Sequence, residues 1–249
     1  MRMAPKKELN GERVKIYAHR GASFDFAEQS FQSFKAAIAQ GADGLECDVR
    51  LTADHQIVCW HDRDTLRLSD SREQISRMTL EDFKKIKIND RTRSDQGKKG
   101  DPISFEELAI LASSHGVELL VETKHPVLSG GDIEREISLL IKKYEIKIHL
   151  LSFSFTAIKR AEKLMPELEH IQLIQHAPLI PLAHGSILGI DIELIRRDQN
   201  LISSLKKRGK EIFVWTVNDP EEIKFCAREG VKGIITDTPS QAKQLLGYP

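Results

Sequence analysis

The sequence predicts an α/β fold, and three observations carry that reading. Short β-rich runs alternate with helical periods almost from one end to the other, the pattern of a mostly parallel sheet covered by helices. The length, 249 residues, suits one large α/β barrel or two smaller units. After the first strand stands "AHRGAS" rather than the G-x-G-x-x-G phosphate fingerprint, which argues against the main competitor, an open doubly wound sheet.

The elements follow in order. "VKIYA" from Val14 is the first strand candidate, and the next helix places Phe31, Phe34 and Ile38 on one face before Gly41, a left-handed cap. "GLECDV" from Gly44 and "QIVCW" from Gln56 are separated by a loop too short for a helical crossover. From Arg63 to Asp101 the chain is polar, with a helix expected from Thr79 and a charged stretch, "NDRTRSDQGKKGD". This segment reads as an insertion above one face, without a separate core.

Ser104 and Glu107 have capping-box spacing ahead of Leu108 and Leu111, and Gly116 ends that helix. "VELLVET" from Val117, "IHLLS" from Ile148, "HIQLIQ" from His170 and "ILGID" from Ile187 are further strand candidates. Gly209 punctuates the helix before "EIFVWTV" from Glu211. Asn218-Asp219-Pro220 then offers a cap and a first-turn proline before Ile223 and Cys226, Gly230 closes that helix, and "GIIT" from Gly233 is the last strand. A closed barrel needs eight strands and there are nine candidates, so one is irregular or misplaced. No repeat, low-complexity tract or Pro/Gly/Ser linker divides the chain, and a single domain over residues 1–249 is the economical organisation.

With 37 basic and 37 acidic residues the net charge is zero, which offers no broad electrostatic reason to expect nucleic acid or an anionic membrane as partner. Cys47, Cys59 and Cys226 have no zinc-site spacing, and their odd number argues against a complete disulfide framework. Met1 to Arg13 is polar and basic, and no apolar run approaches the roughly 20 residues needed to span a bilayer. These features lead to the expectation of a soluble cytoplasmic protein without a stable membrane anchor.

Strand residues two apart share a face, so Glu46 and Asp48 point together while Leu45 and Cys47 pack on the other side. Glu122 and Lys124 in "LLVETKHP" do the same near a strand end, where a parallel barrel presents its catalytic groups. His19-Arg20-Gly21 follows the first strand and His61 the third candidate. Any one of these alone is more often a paired or hydrogen-bonded structural residue; their convergence is what points to chemistry. Three carboxylates without cysteine or clustered histidine suit Mg²⁺ or Ca²⁺ rather than zinc. Arg20 and Lys124 add positive charge for an anion, and two histidines can serve as base and acid in a displacement at phosphorus. Trp215 in "VWTV" is a core aromatic or a pocket wall, and His55 falls in a turn.

The order "AHRGAS", "AEQSFQSFKAAIAQGADGLECDVRLTADHQIVCWHD", "VETK", "VWTVN" and "GIITDTP" resembles the glycerophosphodiester phosphodiesterase family over nearly the whole chain. The resemblance implies a (β/α)8 TIM barrel with the small insertion at about 63–101 above its C-terminal face. It implies Glu46, Asp48 and Glu122 as ligands of a divalent cation and His19 and His61 as the catalytic acid/base pair. Arg20 and Lys124 would bind phosphate, and Trp215 would be the aromatic pocket residue. The implied reaction is metal-assisted hydrolysis of a small-molecule glycerophosphodiester to sn-glycerol 3-phosphate and an alcohol, through a cyclic phosphate. Where the family commonly has Pro-Glu-Asn-Thr, this chain has Ala27-Glu28-Gln29-Ser30. Glu28 is retained as a supporting residue, whereas the longer Gln29 is not assigned the asparagine's role. Two other readings are a lysophospholipase D-like activity, with Phe153 and Phe155 supplying apolar surface at the mouth, and a phosphoester-binding barrel without turnover.

Overall fold

The computed structural model describes residues 13–92, 97–144 and 146–248. The segment through residue 12 and residues 93–96 of the insertion, on which parts of the sequence reading fall, lie outside the described residues.

Eight parallel strands close a barrel: β1 (Lys15–His19), β2 (Gly44–Leu51), β6 (Glu118–Thr123), β7 (Ile148–Ser152), β8 (Glu169–Ile174), β9 (Ile187–Asp191), β10 (Glu211–Trp215) and β11 (Gly233–Thr236). Closure comes from β1, which pairs with β11 on one side and with β2 on the other. The surplus candidate is β3 (Ile57–Cys59), which runs antiparallel to β2. Its short connection allows only a hairpin, so it lies outside the closed ring.

Helices α1 (Phe31–Ala39), α3 (Phe105–His115), α4 (Asp132–Tyr144), α5 (Phe155–Leu164), α6 (Ile192–Arg197), α7 (Leu201–Lys207), α8 (Pro220–Arg228) and α9 (Pro239–Leu246) cover the barrel. Ser104 and Glu107 form the expected capping box, and Asp219 caps α8 with Pro220 in its first turn. Gly41 takes φ 76° after α1; Phe34 is buried there, while Phe31, in the first turn, is 38% exposed. Between β8 and β9 the crossover is a 3₁₀ turn, Ala177–Leu182, in which Pro181 removes an amide donor that a continuing α-helix requires.

Tyr17, Leu120, Leu151, Ile171, Leu173, Ile187, Phe213 and Ile235 fill the barrel interior, a packed floor below the strand ends. Larger apolar clusters lie between the strands and helices. The insertion holds α2 (Leu80–Lys84), capped by Thr79, and a hairpin of β4 (Ile88–Asp90) and β5 (Lys98–Gly100). It brings Leu68, Ile75, Met78, Phe83 and Ile88 around Val58 and Trp60, with Phe83 edge-on to the indole at 5.8 Å. These apolar residues are too widely spaced in a polar stretch to signal a core, and the one they form is shared with the barrel's first loops.

Candidate active site

Strand register assembles the site. Glu46 and Asp48 share a face of β2; His19 lies opposite Glu46 across the β1–β2 pair, and Glu122 lies opposite Asp48 across the β2–β6 pair. All three acids are buried. Each offers a carboxylate oxygen, and these oxygens lie within 4.8 Å of one another.

The protein's own cations partly balance this charge. Lys124 Nζ lies 2.6 Å from both Asp48 Oδ1 and Glu122 Oε1. Arg20 Nε lies 2.9 Å from Asp48 Oδ2, Arg20 Nη1 donates to Glu28 Oε1 at 2.9 Å, and the Arg20 amide donates to Glu46 Oε2 at 3.1 Å. Burial and the neighbouring Asp48 charge raise the Glu46 carboxyl well above its usual range. Burial also pushes Glu122 up to about 7, although Lys124 opposes it. At Asp48 burial acts upward too, but Lys124 and Arg20 together outweigh it and hold the group well below its usual range. An all-oxygen set at this spacing, with two members raised toward protonation, suits a hard divalent cation.

Both histidines are oriented through Nδ1. His19 Nδ1 lies 2.7 Å from Asp237 Oδ1, and His61 Nδ1 lies 2.7 Å from Asp62 Oδ1. An ionised carboxylate only accepts, so each Nδ1 carries the proton and each Nε2 is left for chemistry. The Trp60 amide donates to Asp48 O at 2.9 Å, bringing the start of the His61 loop against the acids. Burial lowers the His61 pKa despite the opposing Asp62 bond.

A relay of charge connects the two halves. Arg67, from the insertion, donates through Nε to Asp62 Oδ2 at 2.6 Å and through Nη1 and Nη2 to the Glu28 oxygens at 2.9 and 2.7 Å. Glu28 thus joins Arg67 to Arg20, and its pKa falls because these two arginines outweigh its burial. Gln29 does not point away: its Nε2 donates to Asp48 Oδ2 at 2.7 Å.

Trp215 ends β10 and packs edge-on against Phe153 with centroids 5.4 Å apart; its buried Nε1 has no hydrogen-bond partner among the described residues. Phe155, expected at the mouth, instead packs with the outer cluster between strands and helices, because it opens α5. The sequence reading missed Asp62, Asp237, Asn218, Arg50 and Arg67. Asn218 Nδ2 and Ser23 Oγ donate to Asp237 at 2.6 and 2.9 Å. Arg50 Nε and Nη2 donate to the His61 carbonyl at 3.0 and 2.7 Å. Arg50 was detectable as the third member of the Glu46/Asp48 face, and Asp62 as the neighbour of His61. Nothing local marked Arg67.

An oxygen-donor triad, paired cations and two carboxylate-backed histidines at the C-terminal mouth of a (β/α)8 barrel define a hydrolase of the phosphodiesterase class. The glycerophosphoryl diester phosphodiesterase family model matches residues 19–241, and the chain belongs to that family. A probable glycerophosphodiester phosphodiesterase 1 of Mycobacterium tuberculosis is 30% identical over 93% of this chain and 92% of its own. A glycerophosphodiester phosphodiesterase of Caldanaerobacter subterraneus is 29% identical over 93% and 97%. Among solved structures, an Oleispira antarctica phosphodiesterase in complex with the product sn-glycerol-3-phosphate superposes with a TM-score of 0.83 at 22% identity, covering 94% of this chain and 97% of that one.

Proposed function

We propose that the protein hydrolyses glycerophosphodiesters to sn-glycerol 3-phosphate and an alcohol. The observation that carries this is the meeting, at one barrel mouth, of two carboxylate-backed histidines with the Glu46/Asp48/Glu122 triad. The names of the relatives support the substrate class.

Glu46, Asp48 and Glu122 would hold a divalent cation, Mg²⁺ or Ca²⁺. Bound there, it would supply Lewis-acid charge against the phosphoryl oxygens and toward ionisation of the attacking hydroxyl. Arg20 and Lys124 bind the phosphate, and Trp215 with Phe153 walls the mouth. His19 Nε2, unprotonated, takes the proton of the glycerol 2-hydroxyl as that oxygen attacks phosphorus, and His61, entering the step as the imidazolium with Asp62 on Nδ1, gives its Nε2 proton to the departing alkoxide. The product of this step is a cyclic phosphate and the free alcohol. Water then opens the ring with the roles reversed, leaving sn-glycerol 3-phosphate. Asp237 keeps His19 in the Nδ1-protonated tautomer, Asp62 carries the charge opposite the His61 imidazolium, and Glu28 holds Arg20 in place.

We place the reaction in the cytoplasm, within a single domain over residues 1–249. Three buried, free cysteines support the first point, and the cluster joining the insertion to Trp60 supports the second. Among the described residues no helix is long and apolar enough to cross a membrane.

Purified protein with Mg²⁺ or Ca²⁺ is expected to release glycerol phosphate from glycerophosphocholine, glycerophosphoethanolamine or glycerophosphoglycerol. No release from any of them with either metal refutes the reading. Cleavage of a diester lacking the 2-hydroxyl, with no cyclic intermediate, retains the hydrolase and removes internal attack.

A further inference from the structure

A cavity of about 450 Å³ opens beside the His61 loop, between the turn after β2, residues 63–77 of the insertion and the loop after β6. Its lining includes Arg50, Arg63 and Arg77 with His55, and among the described residues it contains no aspartate or glutamate. None of the three arginines has a carboxylate ion pair among the described residues. In a chain whose basic and acidic residues balance at 37 each, this is a local excess of positive charge in a recess large enough for a small molecule.

Arg50 connects the cavity to the chemistry. Its Nε and Nη2 are taken by the His61 carbonyl, while Nη1 makes no hydrogen bond among the described residues. Arg63 lies two residues beyond His61, the candidate acid for the leaving alcohol. Planar guanidinium forks are matched to phosphate oxygens, and Ser76 and Ser129 on the same walls add hydroxyl donors.

We propose that this cavity binds a second phosphate carried on the alcohol side of the substrate. The preferred leaving group is then an anionic alcohol, such as a glycerol bearing a further phosphodiester, rather than choline or ethanolamine. This inference rests on the phosphodiesterase reading above. The reaction is unchanged: the phosphorus–oxygen bond to that alcohol breaks and His61 supplies its proton.

The test compares 1,3-bis(sn-glycero-3-phospho)glycerol with glycerophosphocholine in the wild type and an Arg63→Ala/Arg77→Ala variant. Both arginines are exposed, and a thermal melt checks the fold. The expected result is a loss of about tenfold or more in kcat/KM for the bis-phosphodiester, carried by KM, with glycerophosphocholine turnover within about twofold of wild type. Equal losses on both substrates, or none on the bis-phosphodiester, overturn the inference. Calorimetric titration with inorganic pyrophosphate in chelator provides the independent arm. Binding weakened by the double substitution in a protein that cleaves neither diester supports the anion site and overturns its assignment to substrate. Hydrolysis of both diesters with arginine-independent pyrophosphate binding overturns this inference alone.

Discussion

Asp237→Asn removes one charge from the pair that orients His19 while keeping the side chain's shape. Among the described residues, His19 Nδ1 at 2.7 Å, Ser23 Oγ at 2.9 Å and Asn218 Nδ2 at 2.6 Å are three donors to the two Asp237 oxygens. An amide has one acceptor oxygen and one donor nitrogen, so no orientation serves all three. If the nitrogen faces His19, the imidazole must move its proton to Nε2 and can no longer accept there. If the oxygen faces His19, the tautomer survives but the charge accompanying the imidazolium formed in turnover is lost. A hydrogen bond to a charged group contributes about 1.5–3 kcal/mol, and each ~1.4 kcal/mol is tenfold. We therefore expect kcat to fall roughly 10- to 150-fold, within the span of general acid–base catalysis, with KM little changed. Steady-state kinetics on glycerophosphocholine measures it. In a His19→Ala background the same change is expected to have almost no further effect, because the two residues act as a unit. A kcat within about threefold of wild type, or a full additional loss in the His19→Ala background, would refute the tautomer argument.

Three further outcomes follow from the same geometry. Divalent cation is expected to stabilise the wild type by about 2.7 kcal/mol at a hundredfold excess over Kd; Glu46→Gln, which relieves the crowding that raises Glu46, should melt higher than wild type in chelator and lose most of the metal increment, as calorimetry with and without cation would show. Arg67→Ala cuts the link between Asp62 and Glu28 and is expected to lower kcat/KM about tenfold; an unchanged rate would show that the relay has no part in positioning. Glu118 starts β6 at the opposite end of the barrel, where Tyr17, Lys15, Lys147 and His149 donate to it and outweigh its burial, holding its pKa far below the ordinary value. A depressed folded-state pKa stabilises above the unfolded value and is lost as pH falls through the folded one. Glu118→Gln should therefore cost about 1–3 kcal/mol at pH 7 and progressively less below about pH 4.5, read from denaturant melts across that range.

Much of this site is visible in one dimension because strands are periodic. Glu46 and Asp48 two apart, Glu122 and Lys124 two apart, and histidines directly after strand candidates all follow from alternation and from where a parallel barrel exposes its strand ends. The antiparallel β3 was visible as one candidate too many, since its loop could not cross over. Phe155 misled for a local reason: it sits one residue after its N-cap Ser154, where the helix turns it toward the outer core.

What tertiary structure alone decided is which distant groups meet. Asp237 lies 218 residues from His19, and they touch because β11 pairs with β1 to close the ring. Arg67 reaches Glu28 and Asp62 because the insertion folds down around Trp60, a packing event that no periodicity announces. Gln29, longer than the asparagine usual in the family, still bonds Asp48 because its backbone is held at φ 57°, with its amide on the Arg20 carbonyl. Local pattern determines which side chains share a face. Closure of the sheet and docking of the insertion determine their partners, because those contacts depend on register and packing summed over the whole chain.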